Sequence, residues 1–328
     1  MNKATQNVSD PYQVNSLKNL ENASPVEGDV VWDPLRSIWN ATMLIGALVL
    51  APIYFSWGAV AVFLLLSAIT LCFGHSVGFH RRLIHRTFEC SLWLERVLVW
   101  FGIAVGMGGP LWTIRLHDSR DWAQRHKECH PLFRHEYSLW RDGLLYLHCK
   151  LILKNPPTFN PGPGISDDWF YKFLDRSWML HQIPIAAIVF YLGGMPWVVW
   201  GIFVRVTACT TLHWYISYVA HSKGGQDWVV DEAGVQGFNV PILAIFTMGE
   251  SWHNNHHAFP GSACHGLYPG QIDPGWYFVK FLAALGLIWN VKLPANLPPR
   301  MGITPITDRA LTIAAPGQAD IVQNAGSR

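Results

Sequence analysis

Charge is what this sequence lacks most. Asp, Glu, Lys and Arg together make up only 14% of its 328 residues, whereas AVILMFWYC residues make up 50% and the mean hydropathy is +0.17. A soluble surface needs more charge than that, so the composition argues for a membrane protein. From Ser37 to His80 there is no charged residue at all, a run about twice the roughly 20 residues that one helical crossing needs. Long basic runs are also missing, which excludes a nucleic-acid-binding surface of the usual kind. The six cysteines, Cys72, Cys90, Cys129, Cys149, Cys209 and Cys264, form no CxxC pair, so neither a disulfide framework nor a thiolate metal site is expected. No early apolar run marks a signal peptide in residues 1–34, and no repeat of domain length is visible.

The apolar stretches set the expected architecture. Ser56-Trp57-Gly58 divides the first stretch into spans at about 38–56 and 58–78. A second block, Ser177 to Ser222, is interrupted only by Arg205 and is divided by Gly193-Gly194-Met195-Pro196, giving spans at about 178–193 and 197–217. In lipid such spans are helical, because every backbone group must be paired within the segment. The fold class expected is therefore all-α and integral to the membrane, with four transmembrane helices in two hairpins. Neither hairpin turn carries Lys or Arg, while Arg36, Arg81, Arg82, Arg86, Lys172, Arg176 and Lys223 flank the other ends. Positive flanks stay inside, which places both termini and the 80–177 loop in the cytoplasm. Val97–Ile114 is uncharged and long enough to cross, but a single crossing would put His80 and His85 opposite His117; we read it as one interfacial or re-entrant helix. Trp276–Trp289 reads as another interfacial helix. Residues 1–34 read as a mobile polar segment, 35–298 as the domain, and 299–328 as a tail.

Histidine is abundant: there are fifteen, many of them clustered. His80 and His85 lie in HRRLIH, His117 begins HDSRD, and His253, His256 and His257 lie in HNNHH. His221 ends the fourth expected span. The topology brings all of these to one membrane face, as a shared metal site requires. Positions i, i+3 and i+4 share a helical face, which suits His253/His256/His257 and His117/Asp121. His80 and His85 are five apart, about 140° around an α-helix, so that pair needs a helix end between them or ligates different metals. Imidazoles with few carboxylates suit iron, zinc or copper.

Four segments carry a resemblance: GFHRRLIHRTF (78–88), GGPLW (108–112) leading to His117, YVAH (218–221) and TMGESWHNNHHAFPGSA (247–263). Through them, over roughly residues 35–292, the chain resembles the membrane fatty-acid desaturases of the acyl-CoA delta-9 type. The resemblance implies a cytosolic helical cap with a His-rich di-iron site, two Fe ions, O2 as co-substrate, and an acyl chain in a narrow tunnel. It implies metal ligation by His80, His85, His117, His221, His253, His256 and His257. The second box departs from the family's HRxHH: Arg120 and Asp121 stand where histidines are expected, and Ser217 where an asparagine is common. Asp121 is the expected replacement ligand, or pairs with an arginine; His126, His130 and His135 are weaker candidates.

Glu250, three residues before His253, is expected to orient an imidazole, with Asn254 and Ser217 in similar supporting positions. His75 and His213 read as supporting polar residues and His265 as peripheral. Arg81 and Arg120, with Trp112, are the expected substrate contacts, although a solvated positive flank explains the arginines equally well. Partners implied are a fatty-acyl thioester or lipid, membrane lipid, and a separate electron donor, a cytochrome b5-type protein or a ferredoxin with its reductase. A hydroxylase on the same scaffold and a non-catalytic lipid-binding relative remain open.

Overall fold

The computed structural model describes residues 16–298 and 300–313. It is mostly helical, and three helical runs are long and apolar enough to cross a membrane: Pro34–Ile53, Trp57–Ile84 and Trp169–Ala220. Each begins where the sequence supplies a cap. Asp33 accepts from the Arg36 N–H (3.3 Å) ahead of Pro34, Ser56 from Ala59 (3.1 Å), and Asp168 from Phe170 (2.7 Å). Their outer faces are apolar: Leu48, Ile53 and Ile188 are 68%, 69% and 60% exposed, which water would penalise and lipid would not.

The third run is not straight. Gly194 has φ +68°, a value open to glycine. A Cβ on Gly201 would lie 3.8 Å from the Val189 side chain, far closer than twelve residues of straight helix allow. Ile185 and Ile202 share one apolar cluster with Met43 and Val206. The chain therefore folds back at Gly194. Inside this layer Arg205 is fully buried. It donates to the Ala104 carbonyl (2.5 Å), the Gly201 carbonyl (2.6 Å) and Gln182 Oε1 (2.5 Å). Among the described residues it meets no acid there, but Ala104 is the last residue of the helix Leu92–Ala104, where the helix dipole favours a cation.

Two expectations about helices change. Val97–Ile114 is not one helix: Leu92–Ala104 and Pro110–Gln124 are separated by a break at Gly106 (φ +87°) and Pro110. Val99, Ile103 and Val105 are fully buried, so the segment is an inner layer packed on Thr70–Ile84, not a helix lying on a surface. Gly78 permits that approach, since a Cβ there would stand 2.6 Å from the Leu98 carbonyl. The second change is in Thr70–Ile84 itself, which is wound as a π-helix, with His85 N–H bonded to the His80 carbonyl five residues back.

Short antiparallel clips tie the ends down. Gly28–Trp32 pairs with Cys149–Leu153 (Gly28 opposite Leu153), and Trp228–Val230 pairs with Ile303–Pro305. Arg309 reaches Asp227 at 2.7 Å. The expected mobile 1–34 and tail 299–328 fall partly outside the described residues (1–15, 299 and 314–328). Within them, 16–34 and 300–313 are strand-paired and packed, because their apolar residues, Leu17 and Ile303 among them, find partners.

Candidate metal centre

His80 and His85 illustrate how the fold builds the site. On the π-helix, residues five apart stack within about one turn, so both imidazoles point the same way and their Nε2 atoms lie 3.1 Å apart. Neither a helix end between them nor separate metals is needed to bring the pair together. His117, from the helix Pro110–Gln124, and His256, from the short helix His253–Ala258, complete one group. His221, at the end of the helix Arg205–Ala220, joins His253 and His257 in a second. Within each group the ligand atoms lie inside 4.8 Å of one another. The groups are neighbours: the His253 and His256 rings are 5.7 Å apart.

The donor set fits metal ions. Three Nε2 pairs, His80–His85, His221–His253 and His253–His257, are separated by 3.1, 3.1 and 3.0 Å. Two metal–imidazole bonds of about 2.1 Å at a right angle give a nitrogen separation of about 3.0 Å. Some Nδ1 atoms are already engaged: His221 donates to the Ser217 carbonyl (2.7 Å) and His117 to Asp118 (3.2 Å). Each such bond fixes the tautomer that leaves the Nε2 lone pair for a cation. Burial pushes His221, His253, His256 and His257 well below the ordinary imidazole value, and His85 down to about 3. The rings are therefore neutral at physiological pH, the form that ligates.

The supporting residues differ in part from expectation. Glu250 touches His80, Ser76 (2.6 Å), Arg81 (2.6 Å) and His265 (3.6 Å). Burial raises its carboxyl, but Arg81 and His265 outweigh this and leave it below the usual range. His265 is fully buried beside Arg81 and Glu250, not peripheral. Arg81, expected as a substrate contact, is not among the residues lining the two larger cavities. It is 0% exposed and held by Asp273 (2.9 Å), Glu250 and the Ala263 carbonyl (2.8 Å), tying the π-helix to the loop after HNNHH. Asn254 orients no imidazole; its amide clamps the backbone of Asp227, Trp228 and Gly237.

Arg120, Asp121 and Ser217 lie around the second group. Arg120 donates to Ser217 Oγ (2.7 Å) and lines a chamber of about 80 Å³ with His80, His117, His253 and Trp112. Asp121 is buried, 3.8 Å from His117 Nε2. Burial raises its carboxyl, but His117, His257, Arg120 and Arg125 hold it well below the carboxylate range. Of the three histidines after the second box, only His135 returns: it stacks on His221 at 5.5 Å, bonds Ser217 (3.1 Å), and donates to Asp142 (3.0 Å). Asp118 was missed. It also holds Ser16, and its adjacency to His117 in HDSRD was the available signal.

Helices long and apolar enough to cross a membrane thus carry two neighbouring groups of imidazoles whose donor set fits metal ions. The model of the family described as "Fatty acid desaturase" matches residues 55–269. The chain is 37% identical over 279 residues to an sn-1 stearoyl-lipid 9-desaturase of Anabaena variabilis, covering 83% of this chain and 97% of that one. It is 33% identical over 278 residues to an icosanoyl-CoA 5-desaturase of Limnanthes douglasii (81% and 74%). It is 34% identical over 256 residues to the delta-9 acyl-lipid desaturase 2 of Arabidopsis thaliana (75% and 79%). The chain belongs to the fatty acid desaturase family.

Proposed function

We propose that the protein is an O2-dependent di-iron desaturase that introduces a double bond into a fatty-acyl thioester, acyl-CoA or similar, within a domain spanning residues 35–298. The observation that carries this reading is the pair of imidazole groups, His80/His85/His117/His256 and His221/His253/His257, bordering one chamber. With Asp121 beside them, this nitrogen-rich set with one carboxylate suits iron. Two bound irons, given O2 and two electrons, supply an oxidant strong enough to remove hydrogen from an unactivated methylene. In the balanced reaction O2, two electrons, two protons and the two hydrogens of a CH2–CH2 pair give two waters and an alkene.

The chain's own contribution is placement and exclusion of water. A larger cavity of about 570 Å³ meets the chamber at Arg36, Trp112, Leu116, Arg120 and Tyr146. Its wall combines Arg115 and Lys150 with Leu132, Phe133, Leu151 and Pro157. That mixture favours an acyl chain on an anionic carrier. The named relatives include both acyl-CoA and acyl-lipid enzymes. The fold-back at Gly194 supports four crossings in two hairpins, and the flanking Arg and Lys residues support cytoplasmic termini and histidine boxes. Electrons then come from a separate cytoplasmic donor, a cytochrome b5-type protein or a ferredoxin with its reductase. Expression in a host that lacks its own desaturase, with mass-spectrometric reading of acyl double bonds, tests this. New double bonds that vanish in His253→Ala are expected. Hydroxylated chains, or no product from metal-loaded protein supplied with a donor, would overturn it.

A further inference from the structure

The chamber wall also carries polar groups that an unsubstituted alkyl chain would not satisfy. His75, His213 and Tyr146 all line it. The His75 and His213 rings meet edge to face at 4.7 Å, and Tyr146 lies 6.3 Å from His213. His75 Nδ1 and Tyr146 Oη are buried without a hydrogen-bond partner among the described residues, and so is Nε of Arg120 on the same wall. His80 Nδ1 on that wall also has no hydrogen-bond partner among the described residues but lies against the Glu250 carboxylate, whereas the aliphatic hydroxyl and amide side chains there are satisfied internally. Asn40 donates to the Leu147 carbonyl (2.6 Å), Thr113 to Gly109 (2.8 Å), and Thr210 to Val206 (2.8 Å). Buried polar atoms without partners are costly, and methylenes packed against them would leave them so. Sites built this way orient ligands through a few placed polar groups.

We propose that His75, His213 and Tyr146 bind an oxygen atom of the acyl substrate inside the reaction chamber; this rests on the desaturase reading. The phenol donates, and each imidazole donates or accepts according to its tautomer. Two sources share this chemistry: the ester or thioester carbonyl, and a hydroxyl on the chain. Tyr146 also lines the junction with the larger cavity, so an oxygen held there fixes which methylenes reach the metal groups. A carbonyl at that point places the double bond towards the carboxyl end.

The test uses the full, metal-loaded protein in lipid nanodiscs and measures displacement of a bound conjugated polyene fatty acid. The probes are methyl octadecanoate, methyl octadecyl ether, and the octadecanoate ester with a mid-chain hydroxyl; none carries a headgroup. Ether binding about tenfold weaker than ester identifies the carbonyl, and hydroxy-ester binding about tenfold tighter identifies the hydroxyl. Either preference should collapse in Tyr146→Phe, which keeps the ring, and in His75→Leu, with metal content confirming that both fold. Equal displacement by all three probes, or a preference that survives both variants, overturns the inference. Equal displacement together with double-bond formation would leave the desaturase reading intact. Displacement by none of the probes would overturn both.

Discussion

His221 and His253 are 32 positions apart in sequence, yet their Nε2 atoms stand 3.1 Å apart. His221 belongs to the second imidazole group and takes no part in the first. His221→Ala is therefore expected to lose about one of two bound metals and keep the other. Metal analysis of the purified variant checks this; loss of both would mean that the groups form one inseparable site.

Glu250 orients His80 while it is itself held by Arg81 and Ser76. Glu250→Gln keeps the size but removes the negative charge that lies against the His80 ring. Metal affinity should fall about 10–100-fold, the usual cost of losing a carboxylate behind a ligating histidine. Competition against a chelator measures it, and an unchanged affinity would contradict the role.

Asp273 and Arg81 form a buried pair, both fully enclosed. Arg81→Met strands the Asp273 carboxylate, and breaking such a pair costs about 3–5 kcal/mol. Asp273 would retain only its N–H donors at His265, Gly266 and Trp276. Loss of the folded fraction on size exclusion in detergent is expected, more severe than for Lys154→Met at the exposed Glu27 pair.

The metal-stripped protein should lose stability as pH falls. Burial lowers the imidazoles of His221, His253, His256 and His257, and holds His85 at about 3 instead of the ordinary 6.5. Between those values the unfolded chain binds more protons than the folded one, so stability rises with pH in that window. It is fully present above about 6.5 and is lost on the way down. Thermal unfolding of apoprotein across this range checks the sign; a melting temperature that rises on acidification would refute it.

Much of this was legible in the sequence where a single local rule decided the outcome. The uncharged stretches announced the long helices, Gly193-Gly194-Met195-Pro196 marked the fold-back, and HNNHH placed three imidazoles on one short helix. The failures came where distant packing overrode the local rule. An α-helical period separates His80 from His85, and only the π-winding of Thr70–Ile84 against Leu92–Ala104 reunites them. Arg81 sits in the first box as a surface-type residue, but Glu250 and Asp273, about 170 and 190 positions away, bury it. His135 gave no periodic signal; Asp142 and Ser217 position it.

The central claim is that the altered second box, with Arg120 and Asp121, still leaves a site for two irons. Iron per polypeptide in detergent-purified protein from iron-replete cells tests it most directly, with His256→Ala as the control. About two irons per chain, reduced in the variant, is the predicted result. One or none in the wild-type protein would contradict the di-iron reading and favour a desaturase-derived protein without catalysis.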